Sequence, residues 1–246
     1  MPEWVMVDLQ EVEKVTWNVG QVQQRIGEIP KPFLNGVQNP HEIDAFDPNL
    51  LLQAFDRVQL AGGRVLDYIY AFDGYGGEPF LYSRRMEEPP LTSFDEYSER
   101  YSWKGPDMLL GDEPTPESSR PYLQHLSFTD DAAGYYQFAY FVMVARRFYL
   151  AWHSNYNERT FLASKFAIDS VMSEKAGWVQ QEDLDELDKV DPSPAVALAK
   201  DDGIVRLFNY GDDNGFTTLK VEVRRPNELV RLEDEVVVEP RVRRLF

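Results

Sequence analysis

Cysteine is absent from this chain and histidine nearly so, with three in 246 residues. Without a thiol there is no disulfide framework, no thiolate metal ligand and no cysteine nucleophile. Three histidines also leave little from which to build a metal centre, and the sequence calls for no metal and no cofactor. Cations are short as well: 25 Lys+Arg stand against 42 Asp+Glu, a formal net charge of −17. A nucleic acid would approach a surface of its own sign, so the charge argues against one as a partner. Long apolar runs are missing too. The greasiest stretch, Tyr135 to Trp152, is broken by Gln137, Arg146 and Arg147, whereas a membrane span needs about 20 mostly apolar residues. The first twenty residues carry Glu3, Asp8, Glu11 and Glu13 and no basic region ahead of an apolar one, so no secretory leader is expected. No Asn-x-Ser/Thr sequon occurs, which together with the missing cysteines favours the cytoplasm.

What remains is apolar and aromatic material in quantity, 43% and 13% of the chain. A chain of this length typically buries about 70–75% of its unfolded surface, enough for a core without covalent staples. The expectation is one compact domain over residues 1–246. The polar, proline-bearing stretch around 111–121 is the one place a seam belongs.

Local signals predict an α+β fold, mostly antiparallel sheet built from hairpins and meanders with a few helices. Asp47-Pro48 starts a helix whose apolar positions Leu51, Leu52, Phe55 and Val58 share a face up to Gly62-Gly63. Arg64 to Phe72 alternates as a strand with Tyr68, Tyr70 and Phe72 on one face, and residues 80–84 return as its partner. A short helix is expected from Ser93, where Ser93 and Glu96 fit a capping box. Between Tyr122 and Ser164 apolar residues fall at almost every position. Their aromatic and β-branched character favours strands near 122–128, 135–144, 147–153 and 159–163. Residues 165–175 read as a helix with Phe166, Ile168/Asp169, Val171/Met172 and Lys175 spaced for one buried face, and 182–190 as a short acidic helix with Leu184 and Leu187 pointing one way. Four strands follow, at 195–199, 204–210, 216–224 and 229–238, separated by Asp-Gly, Asn-Gly and Pro-Asn turns.

The densest polar and aromatic cluster is Trp152-His153-Ser154-Asn155-Tyr156-Asn157-Glu158. Histidine titrates near neutrality, and His153 stands beside Glu158, with His125 expected in the same sheet ahead of Asp130 and Asp131. His125, His153 and Glu158 are therefore the candidate catalytic residues, for general acid–base work in a hydrolase. Against that stand the absence of an HExxH motif and of a GxSxG elbow. Trp152, Asn155 and Tyr156 are candidate binding residues, as are Asp73 and Tyr75 in the glycine-rich turn at 73–79. That turn lacks the spacing and the lysine of a phosphate loop, so a hairpin connection is the plainer reading. The turns at Asp201-Asp202-Gly203 and Asp212-Asp213-Asn214-Gly215 lack the ligand alternation of a calcium loop. The run Glu182 to Asp188 reads as a solvated helix face or as a docking surface for a basic protein. The terminal segment 241–246 reverses the chain's sign, with three arginines in six residues.

Two functions from different classes follow. The first is a non-enzymatic binding protein that engages a basic protein partner through an acidic surface with exposed aromatics, Tyr75, Tyr97, Tyr101, Trp103 and Tyr156 being candidates. Inhibitors that neutralise a partner, and nucleic-acid mimics, belong to this class. The alternative is the hydrolase centred on His153.

Overall fold

A computed structural model describes residues 5–8, 19–29, 47–72, 77–101, 121–145, 159–174, 181–211 and 215–239. The architecture is α+β with antiparallel sheets, and the C-terminal third is a meander as its turn residues predict. Strands β7 (Ala195–Leu198), β8 (Asp202–Gly211), β9 (Gly215–Arg224) and β10 (Glu228–Val238) pair in chain order. β1 (Val5–Asp8) adds to the outer side of β7. β6 (Arg159–Phe161) lies along β8 at Asn209–Gly211, on the edge that β7 has already left.

Alternation gives this sheet two different faces. Val205 and Leu207 stand opposite Val221 and Leu219, and all four are buried on one face. Phe208, Tyr210 and Phe216 take the other face, where Phe208 and Phe216 stack at 6.1 Å.

The first face is covered by a helix where the composition predicts strands. Residues 132–145 form α4, numbered after α1 (Val19–Glu28), α2 (Pro48–Gln53) and α3 (Phe94–Tyr101). Every residue of α4 except Met143 and Val144 is buried. A helix wrapped in protein on all sides needs no polar stripe, so its sequence shows no helical period. α4 contacts β7, β8 and β9, and also the two-stranded ladder of β2 (Val58–Leu60) and β5 (Leu126–Phe128). Phe138 stacks on Phe128 at 4.6 Å, Phe141 meets Phe55 edge-on at 5.3 Å, and Tyr140 meets Phe161 at 5.0 Å. Burying a large side chain contributes about 1.5–3 kcal/mol, against intrinsic helix penalties of at most about 0.7 kcal/mol per residue. Packing decides the conformation here. Of the other strands expected in this region, β6 forms at 159–161, only Leu126–Phe128 of 122–128 is extended, and 147–153 lies outside the described residues.

The helix begun by Asp47-Pro48 forms, with Asp47 accepting from the Asn49 N–H at 2.9 Å, but it stops at Gln53. Past that point the backbone finds other partners. The Arg57 N–H donates to the Gln137 side chain at 2.9 Å, and Val58–Leu60 pairs with β5. Gly63, at φ 74°, then turns the chain into β3 (Arg64–Phe72), which pairs along its length with β4 (Gly77–Arg85). Tyr68 and Tyr70 of this hairpin both join the main core, as their alternation predicts. The side chain of Phe72 lies outside the description.

The opposite face of the hairpin holds an aromatic cluster with α3. Phe80, Tyr82, Phe94, Tyr97 and Tyr101 meet at centroid distances of 5.0–6.2 Å. α3 starts where the capping signal places it: the Glu96 N–H donates to Ser93 Oγ at 3.2 Å. The reciprocal bond comes from one residue earlier, with Glu96 accepting from the Thr92 N–H at 2.7 Å. On the outer face of the main sheet, α5 (Lys165–Glu174) and α6 (Gln181–Asp188) bury Ile168, Met172 and Leu187 against Phe208 and Phe216. No helix among the described residues is long and apolar enough to cross a membrane. Most of the seam region expected at 111–121 lies outside the described residues.

Candidate functional site

Of the candidate catalytic residues, His125 alone lies in the described part; His153 and Glu158 lie outside it, as do Trp152, Asn155, Tyr156, Asp73, Tyr75 and Trp103. His125 ends a short 3-10 turn (Leu123–His125) that runs straight into β5. Its carbonyl accepts from the Ala61 N–H at 2.8 Å, extending the β2–β5 ladder by one bond. The ring is half-buried, and burial first, then the Arg64 guanidinium, pulls its pKa below the ordinary 6.5. Both influences favour the neutral ring.

The two aspartates downstream of His125 each have a structural partner. Asp131 is the residue before α4, and its Oδ1 accepts from the Gly134 N–H at 2.7 Å and from the Thr129 hydroxyl at 3.0 Å. Its Oδ2 stands 3.3 Å from Arg57 Nη1. Asp130 receives Arg225 Nη2 at 3.1 Å. The Arg225 guanidinium lies over the Phe128 ring at 4.4 Å and over the Tyr135 ring at 5.6 Å, and its backbone N–H donates to the Asp201 carbonyl at 3.2 Å. Next to it, Asn227 Nδ2 donates to the Leu126 carbonyl at 2.7 Å. The β9–β10 turn is thereby strapped to β5 and to the start of α4, a stacked, hydrogen-bonded arginine of the kind lysine cannot replace.

Gly203 is part of the same contact. A Cβ there would stand 2.5 Å from the Tyr135 ring, which explains glycine in the turn considered for calcium. Asp212 to Asn214, the second such turn, lie outside the described residues. Among the described residues no three of His, Asp or Glu gather as a metal site.

The polar residues inside the fold are committed to packing. Gln137, fully buried in α4, accepts from Arg57 N and donates to Asp56 at 2.7 Å. Asn209 and Thr217, also buried, bond each other across β8 and β9 at 2.9 Å. Sequence reading missed Gln137, Arg57 and Arg225. The signal for the first was a lone polar residue in an apolar run.

The exposed-aromatic expectation is corrected at one position. Tyr97 is 1% exposed, because Phe94, Tyr97 and Tyr101 form a helical stripe facing β4. Tyr101 is half-buried beside it. The opposite correction falls on α5. Phe166, expected on the buried face, is 81% exposed, while Ile168 and Met172 are buried. On α6, Leu187 is buried and Leu184 is 38% exposed. Asp183 is buried at the first turn of α6, where a carboxylate suits the positive end of the helix. Glu182, Asp185, Glu186 and Asp188 are exposed.

Exposed apolar side chains stand beside exposed carboxylates at Met86 with Glu87 and Glu88, at Val236 with Glu235, and on the α5–α6 pair, where Phe166 is the most exposed of them. No family model, no curated protein and no solved structure matches this chain.

Proposed function

We propose that this chain is a non-enzymatic protein-binding module whose acidic surface engages a basic protein. The observation that carries the reading is the net charge of −17, together with the exposed carboxylates of α6. Complementary potential raises encounter rates and suppresses partners of like sign. The same sign argues against nucleic acid as the partner. The encounter is placed in the cytoplasm, on the missing cysteines and sequons of the sequence.

The bonded polar groups support the reading indirectly, since the buried Gln137 and Asn209 and the part-exposed Asp131 and Arg225 all serve the fold. The test is salt. Immobilised chain should retain a basic protein at low ionic strength and release it at about 0.5 M salt, where the Debye length falls below roughly 5 Å. Retention of nothing that salt releases would remove the motive for the proposal.

A further inference from the structure

We propose that the outward face of α5 and α6 is the docking surface itself, and that its occupant is a basic partner segment whose apolar side chain covers Phe166. This rests on the binding reading above and gives it a location. Three observations carry it.

The first is the exposure of Phe166. At 81% it is the most exposed large apolar side chain among the described residues, and it sits on a helix whose Ile168 and Met172 are buried and whose Val171 is half-buried. A single exposed apolar residue is ordinary on a protein surface. On α6 a second apolar side chain, Leu184, is exposed as well. The Lys165 ammonium donates to the Leu187 carbonyl and stands 3.8 Å from Asp188, which holds the first turn of α5 against the last turn of α6. Phe166 follows Lys165 directly. Leu184, half out of the protein at 38%, lies one helical turn before Leu187 and Asp188.

The second is the charge of this body. α6 carries five carboxylates and no cation. Asp169 and Glu174 of α5 are exposed as well. The buried Asp183 serves the helix start; of the exposed Glu182, Asp185, Glu186 and Asp188, Glu186 pairs with Lys189 at 2.7 Å and Asp188 stands 3.8 Å from Lys165.

The third is what this charge does to the choice of occupant. A second copy would carry the same net charge of −17, and a polyanion too would be repelled. A cationic segment neutralises the carboxylates as it arrives. Its apolar residue then takes Phe166 out of water, a contact salt does not screen. Charge would set the encounter and the aromatic the residence, the usual division at protein interfaces.

The test uses the full chain and two synthetic helical peptides of about 14 residues, roughly four turns. One carries a lysine face and a leucine face. The other has the same lysines with serine in place of leucine. Binding is followed by calorimetry at low salt and at about 0.5 M salt.

The Lys/Leu peptide should bind more tightly than the Lys/Ser peptide. Phe166→Ser should weaken the Lys/Leu peptide on the order of ten-fold or more, the usual loss when an interface aromatic is removed, and leave the Lys/Ser peptide unchanged. Glu182→Lys with Glu186→Lys should weaken both. Because Phe166 is exposed, the melting temperature of Phe166→Ser should match that of the parent.

Salt-sensitive binding that is indifferent to Phe166→Ser would overturn the location and leave the binding function standing. Failure of both peptides to bind at low salt would overturn the two together. A dimer of the chain dispersed by Phe166→Ser would hand the face to self-association and also refute the proposal.

Discussion

Replacing Asp131 separates a structural carboxylate from a functional one, and the structure sets the size of the effect. Oδ1 accepts from Gly134 N at 2.7 Å and from Thr129 Oγ1 at 3.0 Å, while Oδ2 pairs with Arg57 at 3.3 Å. Loss of a helix N-cap costs about 1 kcal/mol, with a range of roughly 0.5–2. The hydroxyl bond adds about 0.5–1 kcal/mol. The Arg57 pair is half open to water, its side chains 25% and 48% exposed, so it is worth at most about 1 kcal/mol. Asp131→Ala should therefore destabilise by about 2 kcal/mol. Asparagine caps as well as aspartate does, so Asp131→Asn should lose only the ion pair, under about 1 kcal/mol. Urea unfolding monitored by circular dichroism reads both, provided the slope m stays that of the parent. Equal losses in the two variants would show that charge matters at this position, and the capping account would be wrong. A loss under about 0.5 kcal/mol for the alanine variant would mean that α4 does not depend on this cap.

Two further expectations concern pH. Tyr82 is buried under α3 and accepts from the Leu91 N–H at 2.7 Å; burial pushes its phenol up to about 12. A raised folded-state value means stability that is complete below pH 10 and lost as pH rises through 12. Phenolate absorbance should show a late-titrating tyrosine that disappears in Tyr82→Phe, a variant that also leaves the Leu91 N–H unsatisfied at a cost of about 1–3 kcal/mol; titration of every tyrosine near 10 would contradict the burial argument. For His125 the sign is reversed: its folded-state value lies below 6.5, so the stability it contributes is present above pH 6.5 and is lost as pH falls through the lowered value. Ring proton shifts should show a midpoint under 6.5, and a midpoint above it would mean that a carboxylate faces the imidazole, the arrangement a hydrolase centre requires.

Several elements were legible from local chemistry alone. Asp47-Pro48 starts α2 because the cap and the fixed proline φ act within one turn of chain. The C-terminal meander was legible because Gly203 and Gly215 sit at its turns and its strands alternate over 202–207 and 217–224. Helix α4 was not. Tyr135, Tyr136, Phe138, Tyr140 and Phe141 prefer extended chain when judged one at a time, and a helix buried on every side has no period to betray it. The usable signal lay just outside it, in Thr129 and Asp131 ahead of Ala132-Ala133. The end of α2 failed for a related reason: Phe55 and Val58 continue its helical spacing, but Gln137 and β5, both remote in sequence, claim the backbone of Arg57 to Leu60.

The surface was harder to read than the core, as Phe166 shows. At 100° per residue Ile168, Val171 and Met172 share one side of α5 and Phe166 stands on the other, so counting Phe166 with the buried face misjudges the spacing. The apolar side packs with Phe208 and Phe216, and Lys165 bonds the end of α6. None of those partners is within helical reach of Phe166. The same holds for Tyr97, whose stripe was visible but whose cover, β4, lies earlier in the chain. Burial can be guessed from pattern because every fold must hide apolar area. The residues left outside depend on which rotation each packed element takes, and that choice is made only when elements far apart in sequence meet. A binding face built from exposed residues of two helices is therefore the last feature a sequence discloses, and the exposure of Phe166 beside an acidic helix is a fact of the assembled chain.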